Sequence, residues 1–240
     1  MNKERKYLQF VKTSATNTDL YVYGDIRKPS PIERWLEIED DTRVDAMSFA
    51  EAIANVDTPN LTVHINSYGG SVSEGLAIYS LLNQFEGHLI TIVDGFACSA
   101  ASVIFMAGEE RIVPESGLLM IHNAWSSAEG DSNALKKAAS DLEKITQPSV
   151  DIYCLKTGLA EETVKKLMDE ETWITSKEAY EMKFSTSISR VQAMQSLESN
   201  YVYKLVTKIK EQEKIINEIK INSVPEENKW NSFFNRRKEK

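Results

Sequence analysis

The sequence predicts a layered α/β fold around a largely parallel sheet, and three observations carry that expectation. Short apolar runs rich in Val, Ile and Leu alternate with stretches of 3.6-residue periodicity between about residues 20 and 107. Glycine-bearing segments mark the switches from one pattern to the other, at Asn66-Ser-Tyr-Gly-Gly70 and at Gly95. Strands separated by helices need crossover connections, which are right-handed and place the strands parallel.

The elements follow in order. Leu20-Tyr-Val-Tyr-Gly-Asp-Ile26 reads as a strand, and the proline-bearing segment 27–31 leads away from it. Residues 44–56 carry the period of an amphipathic helix. Then come a strand at 61–65, a helix near 72–85, a strand at 89–93, a turn at Gly95 and a helix near 99–107. Two short strands, at 111–113 and 118–122, precede a polar loop around 126–132. A long helix is expected from about 133 to 156, and after a turn at Gly158 a shorter one at 160–169. Further on, Val202, Leu205, Ile209, Gln212, Ile216 and Ile219 fall at alternating steps of three and four. That seam suits either a short coiled coil or a helix packing its stripe on a neighbour. Trp230, Phe233 and Phe234 mark the polar end as either a flexible tail or a docking peptide. One domain over 1–190 and a charged helical extension over 191–240 is the organisation expected.

Composition narrows the function. The 240 residues are 42% hydrophobic, ordinary for a globular chain with one core. A formal charge of −8 disfavours nucleic acid or an anionic membrane as the main partner, since both demand basic patches. The charge is uneven: residues 191–240 carry 10 Lys/Arg against 7 Asp/Glu, so the acidity belongs to the body. No apolar run approaches the roughly 18 residues that span a bilayer. Cys98 and Cys154 both sit in apolar helical patterns and the start is charged, which makes the cytoplasm the expected compartment. Neither a phosphate-cradling Gly-x-x-x-x-Gly-Lys-Ser/Thr loop nor a histidine cluster at ligand spacing occurs, so no cofactor and no metal are expected.

Only three histidines can serve as a general base. His88 lies in the polar connection Gln84-Phe-Glu-Gly-His and reads as solvated. His64, inside a strand between Val63 and Ile65, reads as a buried, hydrogen-bonded core residue. His122 ends an apolar strand where Asn123-Ala-Trp opens a loop, so its ring can project into a cleft. Asp94-Gly-Phe-Ala-Cys-Ser-Ala-Ala-Ser102 places Ser99 near a helix N-terminus, where unpaired N–H groups favour developing negative charge. Cys98 and Ser102 are rival nucleophiles there, Ser102 being placed to bond back to a carbonyl. Small residues also pack α/β cores without chemistry, and the Gly-x-Ser-x-Gly elbow of another hydrolase fold is not present. Asn66-Ser-Tyr-Gly-Gly-Ser71 can turn its amides outward towards a ligand or serve as a tight turn alone. Together the three switches supply a nucleophile, a base and amide donors, the set that acyl transfer needs.

At these residues the chain resembles the Clp protease proteolytic subunits, ClpP, and most closely the ClpP-like head-maturation proteases of tailed bacteriophages. The likeness runs over about 18–190 and is carried, in order, by Tyr21-Val-Tyr-Gly-Asp, Ile65-Asn-Ser-Tyr-Gly-Gly, Asp94 to Ser102, Met120-Ile-His-Asn-Ala-Trp and Glu170-Glu-Thr-Trp-Ile-Thr-Ser-Lys-Glu-Ala. It implies a spiral of βαβ units, shared with the crotonase superfamily, and makes the 133–156 helix a protruding handle through which subunits form rings. It implies Ser99 as nucleophile, His122 as base and the Gly70 and Ala100 amides as oxyanion hole, with Gly69 shaping it. Glu171 matches the triad acid, with Glu170 and Asp169 as neighbours able to replace it. Substrate is implied to lie as an added strand between Ser71-Val72 and Asn123-Ala124-Trp125-Ser126.

Two departures stand out. Ser67-Tyr-Gly-Gly replaces the family's Ser-Pro-Gly-Gly, which removes a stiffening proline from the hole, and Lys183-Phe-Ser-Thr alters a helix end. The expectation that results is an ATP-independent serine endopeptidase cutting phage capsid or scaffold proteins during prohead maturation, in the host cytoplasm or inside the prohead. The alternatives are a cellular subunit fed by an unfolding ATPase and, from another class, a capsid-assembly subunit whose site has lapsed. An acyl-CoA enzyme of the crotonase type is more distant, because it does not need a serine nucleophile.

Overall fold

The computed structural model describes residues 8–36, 38 and 42–188. The seam of 193–220, the aromatic end and the whole 191–240 extension lie outside the described residues.

The elements run β1 (Leu8–Lys12), β2 (Asn17–Tyr23), β3 (Asp25–Ile26), α1 (Pro31–Trp35), β4 (Arg43–Val44), α2 (Ala46–Ile53), β5 (Asn60–Ser67), α3 (Val72–Leu82), β6 (His88–Cys98), α4 (Ala100–Phe105), β7 (Glu110–Ile112), β8 (Leu118–Ile121), α5 (Ser132–Thr157), α6 (Glu161–Asp169), β9 (Thr172–Thr175) and α7 (Ser176–Glu181). The seven-stranded sheet has the order β1-β2-β5-β6-β8-β9, with β7 also on β6. β2, β5, β6, β7 and β8 are parallel, while β1 and β9 close the two edges antiparallel. The α/β alternation read from the sequence is thus the observed architecture.

Burial explains the strand assignments. Leu20 and Val22 of β2, Leu61, Val63 and Ile65 of β5, and Val93 of β6 are fully buried. They meet Ile78 and Leu82 of α3 and Ile104 and Phe105 of α4 in one core. Helix ends follow local chemistry: Asp131 caps α5 by accepting from the Asn133 and Ala134 amides, and Gly158 ends it at φ 74°.

Three expectations change. β6 does not turn at Gly95 but continues to Cys98 as one strand of 11 residues. Its pairing with β5 slips there, from Ile65↔Val93 to Ser67↔Ala97. The Asn66 side chain fills the gap, its Oδ1 accepting from the Phe96 amide at 3.2 Å, so the glycine marks a bulge. This length lets β6 carry β7 along Ile90–Ile92 and β8 along Phe96–Cys98 on the same side. The strand read as 20–26 divides at Gly24 into β2 and β3, and β3 pairs with β4 in a small second sheet. Val44 belongs to β4, so α2 begins later than its periodicity suggests, at the Asp45 cap.

Candidate active site

Three chain switches meet at the carboxyl ends of β5, β6 and β8. β6 delivers Ser99 to the N-terminus of α4, with φ 54° and ψ −125°. A non-glycine residue in that region costs on the order of 1–3 kcal/mol and persists only where surroundings enforce it. Here the Ser99 amide donates to the Met120 carbonyl at 2.8 Å, and the Ser99 carbonyl accepts from the Ser102 hydroxyl at 2.6 Å. β8 ends one residue before His122, whose Nε2 lies 2.7 Å from Ser99 Oγ. The hydroxyl donates to the ring in the tautomer that a general base requires, with the imidazole proton on Nδ1.

β5 leads into the glycine loop. A parallel bridge joins Ile26 to Gly70: the Ile26 amide donates to the Gly69 carbonyl at 2.9 Å, and the Ser71 amide donates to the Ile26 carbonyl at 2.7 Å. In that pattern the amide of Gly70 itself points away from β3. Ser67 adds a second tie, its hydroxyl donating to the Gly24 carbonyl at 2.6 Å and accepting from the Gly69 amide at 3.0 Å. The loop is therefore fixed without the proline that Tyr68 replaces. Only glycine fits at both positions: a Cβ on Gly69 would stand 2.5 Å from the Cys98 carbonyl oxygen and 2.7 Å from Ser99 Cβ, and one on Gly70 would stand 2.3 Å from the Ile26 carbonyl oxygen. Among the described residues neither the Gly70 nor the Ala100 amide has an acceptor.

The rival groups are disposed of by their surroundings. Cys98 is fully buried, and burial pushes its thiol up to about 11, so it stays protonated at neutral pH. Ser102 bonds back to a carbonyl, as its helical position suggests. His64 is 6% exposed, stacks on Tyr21 and holds Asp94 through Nδ1 at 3.0 Å, while the Tyr23 hydroxyl donates to the same carboxylate. His88 lies between Glu109 and Glu110, whose carboxylates raise its pKa.

The acidic member is where the expected set stops converging. No carboxylate among the described residues is hydrogen-bonded to His122. Glu171 stands one step beyond the Ile121↔Thr172 pair, opposite His122 across the β8–β9 ladder, with φ 48° and its side chain exposed. Asp169 is engaged instead by Asn123, whose Nδ2 donates to it at 2.7 Å.

The expected substrate strips flank the pair but are partly committed. Val72 and Ala124 join Ser99, Ala100 and His122 around a cavity of about 20 Å³. The Ser71 amide serves Ile26 and the Ala124 amide donates to Thr146 Oγ1 at 3.2 Å, so neither is open to a substrate strand. Trp125 is 79% exposed. Among the described residues no group of three or more His, Cys, Asp or Glu is placed to hold a metal, and no helix is long and apolar enough to cross a membrane.

A serine at a strained strand-to-helix junction, a histidine on its hydroxyl and two free amides beside it can form and hold a tetrahedral acyl adduct. Comparison with known proteins agrees with that chemistry. The family model described as Clp protease matches residues 22–192. An ATP-dependent Clp protease proteolytic subunit of Ligilactobacillus salivarius is 34% identical over 122 residues, which is 50% of this chain and 62% of that protein. The same-named subunit of Pleurastrum terricola is 30% identical over 125 residues, 51% of this chain and 64% of its own length. The chain thus matches a little over three fifths of these relatives. A ClpP1 mutant from Listeria monocytogenes has the same fold, with a TM-score of 0.58 at 18% identity over 74% of this chain and 92% of that one.

Proposed function

The chain belongs to the Clp protease family, and on that premise we propose that it is a serine endopeptidase with Ser99 as nucleophile and His122 as general base. The observation that carries the reading is the 2.7 Å contact between Ser99 Oγ and His122 Nε2 beside two amides without acceptors.

In this mechanism His122 Nε2 takes the Ser99 proton as Oγ attacks a peptide carbonyl. The Gly70 and Ala100 amides receive the oxyanion, and the imidazolium returns the proton to the leaving amine. Water, deprotonated by the same nitrogen, then releases the acyl group. Glu171 is the acid assigned to the Nδ1 side of the ring, because the strand register sets it opposite His122.

The substrate is an unfolded polypeptide delivered by a partner ATPase, and the compartment is the cytoplasm. This alternative is preferred to prohead maturation because the relatives are named as ATP-dependent Clp proteolytic subunits, whereas the phage reading rests on the form of the motifs alone. Copies of the chain assemble into a ring. Exposed Tyr68 and Trp173, at 69% and 49%, both pack edgewise on Phe96 and support that reading, since large apolar side chains clustered at a surface mark interfaces.

Labelling of the purified protein with a fluorophosphonate tests the peptidase reading. Labelling that survives Cys98→Ala and disappears in Ser99→Ala and His122→Ala is expected. No labelling of the assembled wild type would replace the enzyme with a structural subunit. Degradation of a folded, tagged protein only when a Clp ATPase and ATP are added separates the ATPase-fed reading from the independent one.

A further inference from the structure

Ser102 and Tyr153 are buried polar groups to which the mechanism gives no task. Both are 1% exposed, and they come from different elements, α4 and α5. The Ser102 hydroxyl oxygen lies 2.6 Å from the Ser99 carbonyl oxygen and 2.8 Å from the Tyr153 hydroxyl. A carbonyl only accepts, so Ser102 gives its single hydrogen to Ser99, and Tyr153 is the donor in the second contact. Burial raises the Tyr153 pKa, so the phenol keeps the hydrogen that it donates. Its ring is held 5.7 Å from that of Phe184. A directed chain results, from the Tyr153 hydroxyl through the Ser102 hydroxyl to the Ser99 carbonyl.

That carbonyl belongs to the same peptide as the Ala100 amide. The peptide is trans, like every described peptide bond, so its plane is rigid and its C=O and N–H point in opposite directions. Fixing the carbonyl towards Ser102 therefore fixes the Ala100 N–H on the other side. The glycine loop borders that nitrogen: a Cβ on Gly69 would stand 3.0 Å from it. A hydrogen bond at the carbonyl also polarises the peptide and strengthens its N–H as a donor. The Ser102 amide reaches the same carbonyl at 3.0 Å, a bond that most residues at this helical position would make. The hydroxyl chain is what the two side chains add.

We propose that Ser102 and Tyr153 are positioning residues for the oxyanion hole: through the Ser99 carbonyl they aim and strengthen the Ala100 amide. The inference rests on the peptidase reading of the same site. The same bonds hold the backbone of Ser99 at φ 54°, a conformation that needs such support.

The rate of covalent labelling by a fluorophosphonate, measured on the full chain against probe concentration, separates binding from chemistry. Ser99 Oγ bonds to phosphorus, fluoride leaves, His122 takes the proton, and the phosphoryl oxygen gathers charge in the hole only as the bond forms. Ser102→Ala should lower the saturating rate by about tenfold, short of the roughly 10²-fold that deleting an oxyanion donor costs. Tyr153→Phe should lower it by about fivefold, the effect of one neutral hydrogen bond. The half-saturating concentration should stay unchanged in both. Tyr153→Phe keeps the ring in place and carries the test should Ser102→Ala fail to fold. Added to Ser102→Ala it should cause no further fall, because its effect passes through Ser102. A wild-type saturating rate in the single variants, a shift in the half-saturating concentration alone, or additive losses in the double variant overturns this inference and leaves the peptidase reading standing. No labelling of the wild type overturns both.

Discussion

At the residue scale the site is a set of short-range constraints, each with a measurable consequence. Gly69→Ala sets a methyl against the Cys98 carbonyl and the Ser99 side chain, so the loop must withdraw and the Gly70 donor is lost. A fall in kcat of at least about 10²-fold is expected, the usual effect of deleting one oxyanion donor. The acid assignment is separable by substitution. Glu171→Gln should depress kcat/KM and move the acid-side limb of its pH profile, which reports the general base, whereas Asp169→Asn, whose carboxylate accepts from Asn123, should change KM. The reverse pattern would make Asp169 the acid. Native Cys98 should resist iodoacetamide at neutral pH, because its thiol is buried and held up at about 11. His88 gives a pH dependence of stability. Its pKa is raised in the folded state by Glu109 and Glu110, so its contribution is complete below the unfolded value of about 6.5 and is lost as pH rises through the folded value. The side chain is 38% exposed, so solvent screening keeps the effect within about 1 kcal/mol. His88→Gln should flatten that part of the urea-midpoint curve against pH.

At the element scale the buried Arg111 of β7 decides how the chain after α6 closes over the sheet. Its guanidinium donates to the carbonyls of Phe184 at 2.7 Å, Gly108 at 3.0 Å and Lys183 at 3.2 Å, and burial lowers its pKa. Arg111→Met strands those acceptors and should cost about 3 kcal/mol, read from the denaturant midpoint. Some elements were hidden from a reading of periodicity but not from one of caps. α1 and α7 are only five and six residues long, yet both begin with a capping box, Ser30 with Glu33 and Thr175 with Glu178. β1 left no comparable sign: Leu8–Lys12 is a strand because β2 offers an antiparallel edge.

For the molecule as a whole, the buried core of the described residues runs from Leu20 to Phe184, and Ser187 bridges back to Ile112. Removing 191–240 should therefore leave fluorophosphonate labelling of Ser99 intact, and its loss would assign the extension to the working assembly. On the ring reading, the full chain should sediment as a multiple of 27.1 kDa, which analytical ultracentrifugation measures directly.

The sequence by itself determined the layered α/β class, the three switches at residues 66–71, 94–102 and 120–125, and the serine and histidine placed on them. It could do so because hydrophobic periodicity and small residues at strand ends are local signals. The tertiary structure alone decided the strained backbone of Ser99, the outward Gly70 amide, the bulge in β6, the partner of Asp169 and the size of the cavity. Each of these depends on a group far along the chain: Met120 for Ser99, Ile26 for Gly70, Asn66 for the bulge, Asn123 for Asp169 and Tyr153 for the cavity. Such contacts are set by packing between elements, and no pattern along the chain encodes them.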